Sequence, residues 1–232
     1  MLAGHIAVGF FGKRIAPEIS LGTLVLASLA ADLIWCLLLI AGVEHIAIQP
    51  GRTTQDSLVA TNIAISHSLV MDGVWAALLA AGLPFRRSTR AAGLLFAVVL
   101  SHWFLDVVSH RPDMPLAPGL EPRFGLGLWD SVPATLAIEG GFWLLAVVLY
   151  ARVTKSRNRT GTYSFWAGVI VLTAIWWNNF AGPPPRSDVR TLGISSFIFF
   201  SLVVIWAYWM DRLRLGLHGS NSSIRSISSG RI

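Results

Sequence analysis

His102 and Asp106 stand four positions apart in the run Ser101-His102-Trp103-Phe104-Leu105-Asp106, and His110 follows after four more. On a helix that spacing puts the side chains on one face, about 5–6 Å apart at Cβ. An imidazole nitrogen and a carboxylate oxygen so placed can hold a divalent cation from a single helix, as helical zinc motifs do. Two more candidates sit in other apolar runs: Asp32 in Ala30-Ala31-Asp32-Leu33-Ile34-Trp35, and His67 in Ser66-His67-Ser68-Leu69. The resulting ligand set is His, His, Asp, Asp. Nitrogen and oxygen donors without sulfur suit zinc and also admit manganese or iron. Glu139 is a further acidic group within an apolar run, Thr135-Leu136-Ala137-Ile138-Glu139-Gly140. Asp72 lies five residues after His67, on another face, and reads as a packing carboxylate.

The elements that must position these groups follow from composition. The chain has 232 residues, 54% hydrophobic and 13% charged, with a mean hydropathy of +0.62. Soluble domains carry about 25% charged residues, so this chain lacks the polar surface of a soluble enzyme or a disordered protein. One cysteine, Cys36, excludes a disulfide scaffold and a Cys-rich zinc module. Apolar runs that could cross a bilayer, each needing about 20 residues, fall at 19–43, 57–83, 91–108, 132–151, 163–181 and 192–210.

The net charge of +6 reports topology, not a nucleic-acid partner. Of the 18 basic residues, 13 fall before the first run, between the second and third, between the fourth and fifth, and after the sixth. This alternation is the positive-inside pattern, with Lys13 and the C-terminus cytoplasmic. The expected fold is all-α: a multi-pass membrane helix bundle of six spans, preceded by a half-length or interfacial helix over residues 2–12. Residues 1–212 form one membrane-embedded domain, and 213–232, rich in Ser and Gly, form a disordered cytoplasmic tail. Met1-Leu2-Ala3-Gly4 has no basic n-region, so the N-terminus does not read as a signal peptide. The Pro- and Gly-rich loop 111–128 reads as ordered irregular chain or a lid, and Pro183-Pro184-Pro185 as a stiff turn.

At about 1.5 Å per helical residue, His102 lies roughly 9 Å and Glu139 roughly 10 Å below the outer face. His67 comes out near 15 Å and Asp32 near the midplane by the same rise. A single intramembrane His usually hydrogen-bonds between helices, but four helices placing His and carboxylate groups in one half of the membrane favour a shared site. A metal centre and a proton or ion pathway both use these residue types.

At these residues the chain resembles the YdjM-type family of bacterial inner-membrane metal-dependent hydrolases. The likeness covers about residues 1–150. It rests on Gly4-His5, the Asp32 segment, Ser66-His67-Ser68 and Ser101-His102-Trp103-Phe104-Leu105-Asp106, continuing as His110-Arg111-Pro112-Asp113-Met114-Pro115-Leu116 and Gly125-Leu126-Gly127-Leu128-Trp129. The family is distantly similar to the all-α zinc-dependent phospholipase C fold. The resemblance implies that Asp32, His67, His102 and Asp106 ligate one zinc, and that His5 joins a bridging Asp106 at a second. It makes His110 and Glu139 candidates for a third. Here the chain departs from the pattern, with Thr135 where those enzymes place a His four residues before the Glu. Ala31 and Asn62 likewise replace a usual Pro and a common His. For His5 to take part, residues 2–12 must dip into the bundle.

The expected function is metal-dependent hydrolysis of a phosphodiester or other lipid-borne ester, with membrane lipids as surroundings and substrate source. Glu139 or Asp113 would act as general base and Arg111 would steady a phosphate. A proton- or ion-coupled permease and a non-catalytic membrane protein with a structural metal are the alternatives.

Overall fold

A computed structural model of the chain describes residues 1–50, 57–82, 88–181, 183 and 188–216. Helix α1 (Leu2–Ile15) leads into α2 (Leu21–Ser28) and α3 (Ala30–Ile40). An antiparallel hairpin of β1 (His45–Ile48) and β2 (Leu58–Asn62) precedes α4 (Leu69–Gly82) and α5 (Thr89–Ser109). A 3-10 turn at Leu128–Asp130, α6 (Val132–Thr135), a π turn at Leu136–Gly140 and α7 (Gly141–Val153) follow. Strand β3 (Thr154–Ser156), α8 (Arg159–Ala181), α9 (Val189–Arg212) and β4 (Arg214–Gly216) complete the described chain.

Among the described residues three helical segments are long and apolar enough to cross a membrane: α5, Val132–Val153 and α9. The α2–α3 pair makes a fourth if its 54° bend is counted within one span. The fold is therefore a mostly helical bundle with three to four candidate crossings, where hydropathy alone suggested six. The second expected run starts as a strand, and its helix, α4, has only 14 residues. That is about 21 Å of rise, short of a hydrocarbon core about 30 Å thick. Helix α8 is long enough at 23 residues, but Thr, Trp and Asn side chains dilute its apolar content. Arg214–Gly216, within the stretch read as tail, pairs with β3 as a short antiparallel ribbon. Residues 217–232 and most of the Pro183-Pro184-Pro185 turn lie outside the described residues.

Helix α1 runs inside the bundle, packed on α2 and α7. Phe10 is fully buried and its ring lies 5.0 Å from that of Tyr150 and 5.4 Å from that of Trp143. Gly9 lets α1 approach α2 closely, because a Cβ there would come within 3.1 Å of the Val25 backbone. At its other end Lys13 is buried and pairs with Asp211 on α9 at 2.9 Å. Lys13 Nζ also donates to the Ile19 carbonyl, and Asp211 accepts the Leu21 amide at 3.1 Å. Removing one member of such a pair leaves the other charge buried alone, a cost of about 3–5 kcal/mol. Lys13→Met is accordingly expected to lower the thermal midpoint in detergent, and the Lys13→Met/Asp211→Leu double variant to regain part of the loss. A midpoint unchanged in Lys13→Met would show the pair to be dispensable.

The break between α2 and α3 has a local consequence for chemistry. A continuous helix would use the Ser28 carbonyl for the amide of Asp32. At the bend that carbonyl instead accepts a hydrogen bond from His102 Nδ1 at 2.9 Å. Asp32 then falls in the first turn of α3. The chain after α5 is shaped by the helices it joins. Pro115 and Leu116 carbonyls accept the amides of Leu69 and Val70 at the start of α4, and Trp103 Nε1 donates to Pro115 at 2.8 Å.

Candidate metal centre

Helix α5 supplies His102 and Asp106 from one face, both almost fully buried. His67 arrives from the turn before α4, Asp32 from the first turn of α3, and His5 from α1. His67 Nε2 and His102 Nε2 are 3.3 Å apart. Asp32 Oδ1 lies 3.7 Å from the first and 3.8 Å from the second. Asp106 Oδ2 lies 3.9 Å and 3.2 Å from the same two atoms. Among the described residues Asp32, His67 and His102 form one group and His5, His102 and Asp106 another, each offering ligand atoms within 4.8 Å of one another, close enough that either group could hold a metal ion. The donor set, two imidazoles and two carboxylates, fits as well.

Asp106 uses its other oxygen on a second group. Oδ1 is 3.0 Å from His5 Nε2 and 2.8 Å from the Met1 nitrogen, which itself lies 2.9 Å from His5 Nε2. His110 Nε2 stands 4.0 Å from the same oxygen. The carboxylate thus faces two clusters, one through each oxygen. The His5 and His102 rings stack across the boundary with centroids 3.7 Å apart. Buried His5 Nδ1 has no hydrogen-bond partner among the described residues.

The remaining candidates take other positions. Glu139, on the π turn, is fully buried and aimed at the start of α1. Its Oε1 accepts the amides of Ala3 and Gly4 at 3.0 and 3.3 Å, and Oε2 accepts Trp129 Nε1 at 3.4 Å. It touches the cluster through α1, by holding the turn that carries His5. Asp113 accepts His110 Nδ1–H at 3.0 Å and so acts on the imidazole. Arg111 is taken up by Asp130, with Nε and Nη2 both 2.8 Å from Oδ1, and these contacts hold its guanidinium above its ordinary pKa. Asp72 is buried, with neither carboxylate oxygen hydrogen-bonded among the described residues.

Sequence reasoning passed over Glu44. It follows α3 in an irregular turn, where a carboxylate reads as solvated, yet its side chain is folded inward and buried. The signal available was its position just ahead of a β-hairpin that returns the chain toward His67. Beside the cluster, a groove of about 370 Å³ runs between α5 and α7, lined by Met1, Leu105, Val108, Ile138, Phe142 and Leu145.

No family model, curated protein or solved structure matches the chain.

Proposed function

We propose that this chain is a membrane-embedded, metal-dependent hydrolase of a phosphodiester or related lipid-borne ester, in a bacterial inner membrane. The observation that carries the reading is the four-residue set Asp32, His67, His102 and Asp106, whose ligand atoms lie 3.2–3.9 Å apart in the five pairs described above. The resemblance to the YdjM-type hydrolases favours the same assignment. The six-crossing topology, with α2–α3 as one bent span and the basic segments cytoplasmic, belongs to this reading and is supported by the charge alternation.

Asp32, His67, His102 and Asp106 would hold the first ion, and His5 with Asp106 Oδ1 a second. A zinc ion held by these residues would supply Lewis acidity toward a phosphoryl or carbonyl oxygen and would activate water near neutral pH. Asp106 keeps the two halves in register, since each oxygen serves one. His110, fixed at Nδ1 by Asp113, presents Nε2 toward the cluster, where it can take or return a proton. Arg111 sits on Asp130 and would have to leave that exposed pair to steady a phosphate. The apolar groove reaching Met1 favours a lipid substrate, because an acyl chain lying in it would end beside Asp106.

The test is the metal-to-protein ratio of the full chain beside His102→Ala, followed by a screen of phospholipids and phosphodiesters. Stoichiometric zinc or another first-row ion in wild type, lost in the variant, together with turnover, is the expected result. A folded, metal-free wild type that carries ions or protons across liposomes without turnover would replace this reading with the permease.

A further inference from the structure

Next to His67 a chain of hydrogen bonds leads away from the cluster. His67 Nδ1 lies 2.7 Å from Ser66 Oγ, and Ser66 Oγ lies 2.5 Å from Glu44 Oε2. Glu44 Oε1 accepts the amides of Ile65 and Ser66, each at 2.8 Å. Ser66 and Glu44 are both buried to 1% exposure or less. Trp75 Nε1 pins the same turn through the Ile65 carbonyl at 2.9 Å.

The donor and acceptor inventory orders this chain once the Ser66 hydroxyl proton is placed on Glu44 Oε2, at 2.5 Å, and not on the Ile63 carbonyl at 3.4 Å. An ionised carboxylate only accepts, so Ser66 gives its single hydroxyl proton to Glu44. Ser66 Oγ must then accept from His67 Nδ1–H, which in the neutral ring leaves His67 Nε2 as the lone pair. The neutral His102 ring reaches the same state by another route, because the Ser28 carbonyl can only accept from its Nδ1. With both rings neutral, these two Nε2 lone pairs lie 3.3 Å apart between two carboxylates, an arrangement relieved by a proton or a metal cation placed among them.

We infer that Glu44, acting through Ser66, is a positioning residue that locks the His67 tautomer with Nε2 unprotonated and aimed at the cation site. This inference rests on the metal-centre reading and deepens it by adding the group that orients one ligand. Partners of this kind fix ring orientation and tautomer in metal sites, and their removal costs 10–100-fold in affinity.

Glu44→Gln makes a sharp test because it preserves shape and reverses one bond. The amide oxygen of Gln would stay on the two backbone donors, so its NH₂ would face Ser66 Oγ and donate. Ser66 would then have its proton to give, and His67 Nδ1 is an available acceptor. Nitrogen-15 histidine spectra of the chelator-treated full chain should show Nδ1–H at His67 in wild type and loss of that single tautomer in Glu44→Gln and Ser66→Ala. Zinc affinity, read by competition with a chromophoric chelator, should fall about 10–100-fold in both variants. Wild-type spectra and wild-type zinc affinity in Glu44→Gln would overturn the inference while leaving the metal centre standing. Wild type that binds no zinc, yet loses the pinned tautomer in Glu44→Gln, would uphold the relay and remove the metal reading.

Discussion

Asp106→Asn is expected to abolish zinc-induced stabilisation and, with it, the proposed hydrolysis. Both oxygens of Asp106 are in use: Oδ2 faces His102 and His67, and Oδ1 faces His5 and the Met1 nitrogen. Asn keeps the volume but turns one oxygen into an NH₂ donor, so whichever way it lies one half of the cluster meets a proton where it had a lone pair. It also removes a negative charge from a site designed around two carboxylates. Losing a direct ligand should weaken zinc by more than the 10–100-fold typical of supporting residues. Ligand linkage converts this into stability: at zinc about 1,000 times its Kd, wild type gains about 4 kcal/mol that the variant does not. For a chain of this size that is on the order of 10 °C in thermal midpoint. Melting with and without zinc reads the effect, and an equal zinc shift in Asp106→Asn would remove Asp106 from the ligand set.

What could be read from the sequence was the part set by short spacing. His102 and Asp106 are four residues apart on an uninterrupted helix, so their common face followed from the 3.6-residue period. Asp32 and His67 stood out because a polar group in an apolar run has to be used. Their meeting point depended on two features that hydropathy does not encode. One is the bend at Leu29, which has no Pro or Gly to mark it and which the Ser28–His102 hydrogen bond exploits. The other is the strand Leu58–Asn62, an apolar stretch indistinguishable by composition from the start of a helix. That strand is why the second expected span shortens to α4 and why His67 lies in a turn, not on a helix. Glu44 was invisible for a related reason. Its burial depends on the hairpin carrying residues 63–66 back over it, a tertiary event without a local pattern.

Glu139 gives the second large effect, and its two variants separate two roles. In Glu139→Ala the amides of Ala3 and Gly4 and the Trp129 indole lose this acceptor in a buried setting. Each unsatisfied buried donor costs about 1–3 kcal/mol, so the expected loss is several kcal/mol in total. The first turn of α1 carries both Met1 and His5, so its release should also empty the His5 side of the cluster while sparing the His67–His102 side. Metal content should therefore drop by part, not to zero, in the Ala variant. The π turn is the device that aims Glu139 here: its wider winding shifts the side chain relative to a regular helix, a feature that recurs at functional sites. Glu139→Gln keeps an oxygen for the two amides and should recover most of the stability. If that variant is also active, Glu139 works by holding α1. If it is stable and metal-loaded but inactive, the carboxylate is needed for proton transfer, and the general base is Glu139 and not the His110–Asp113 pair.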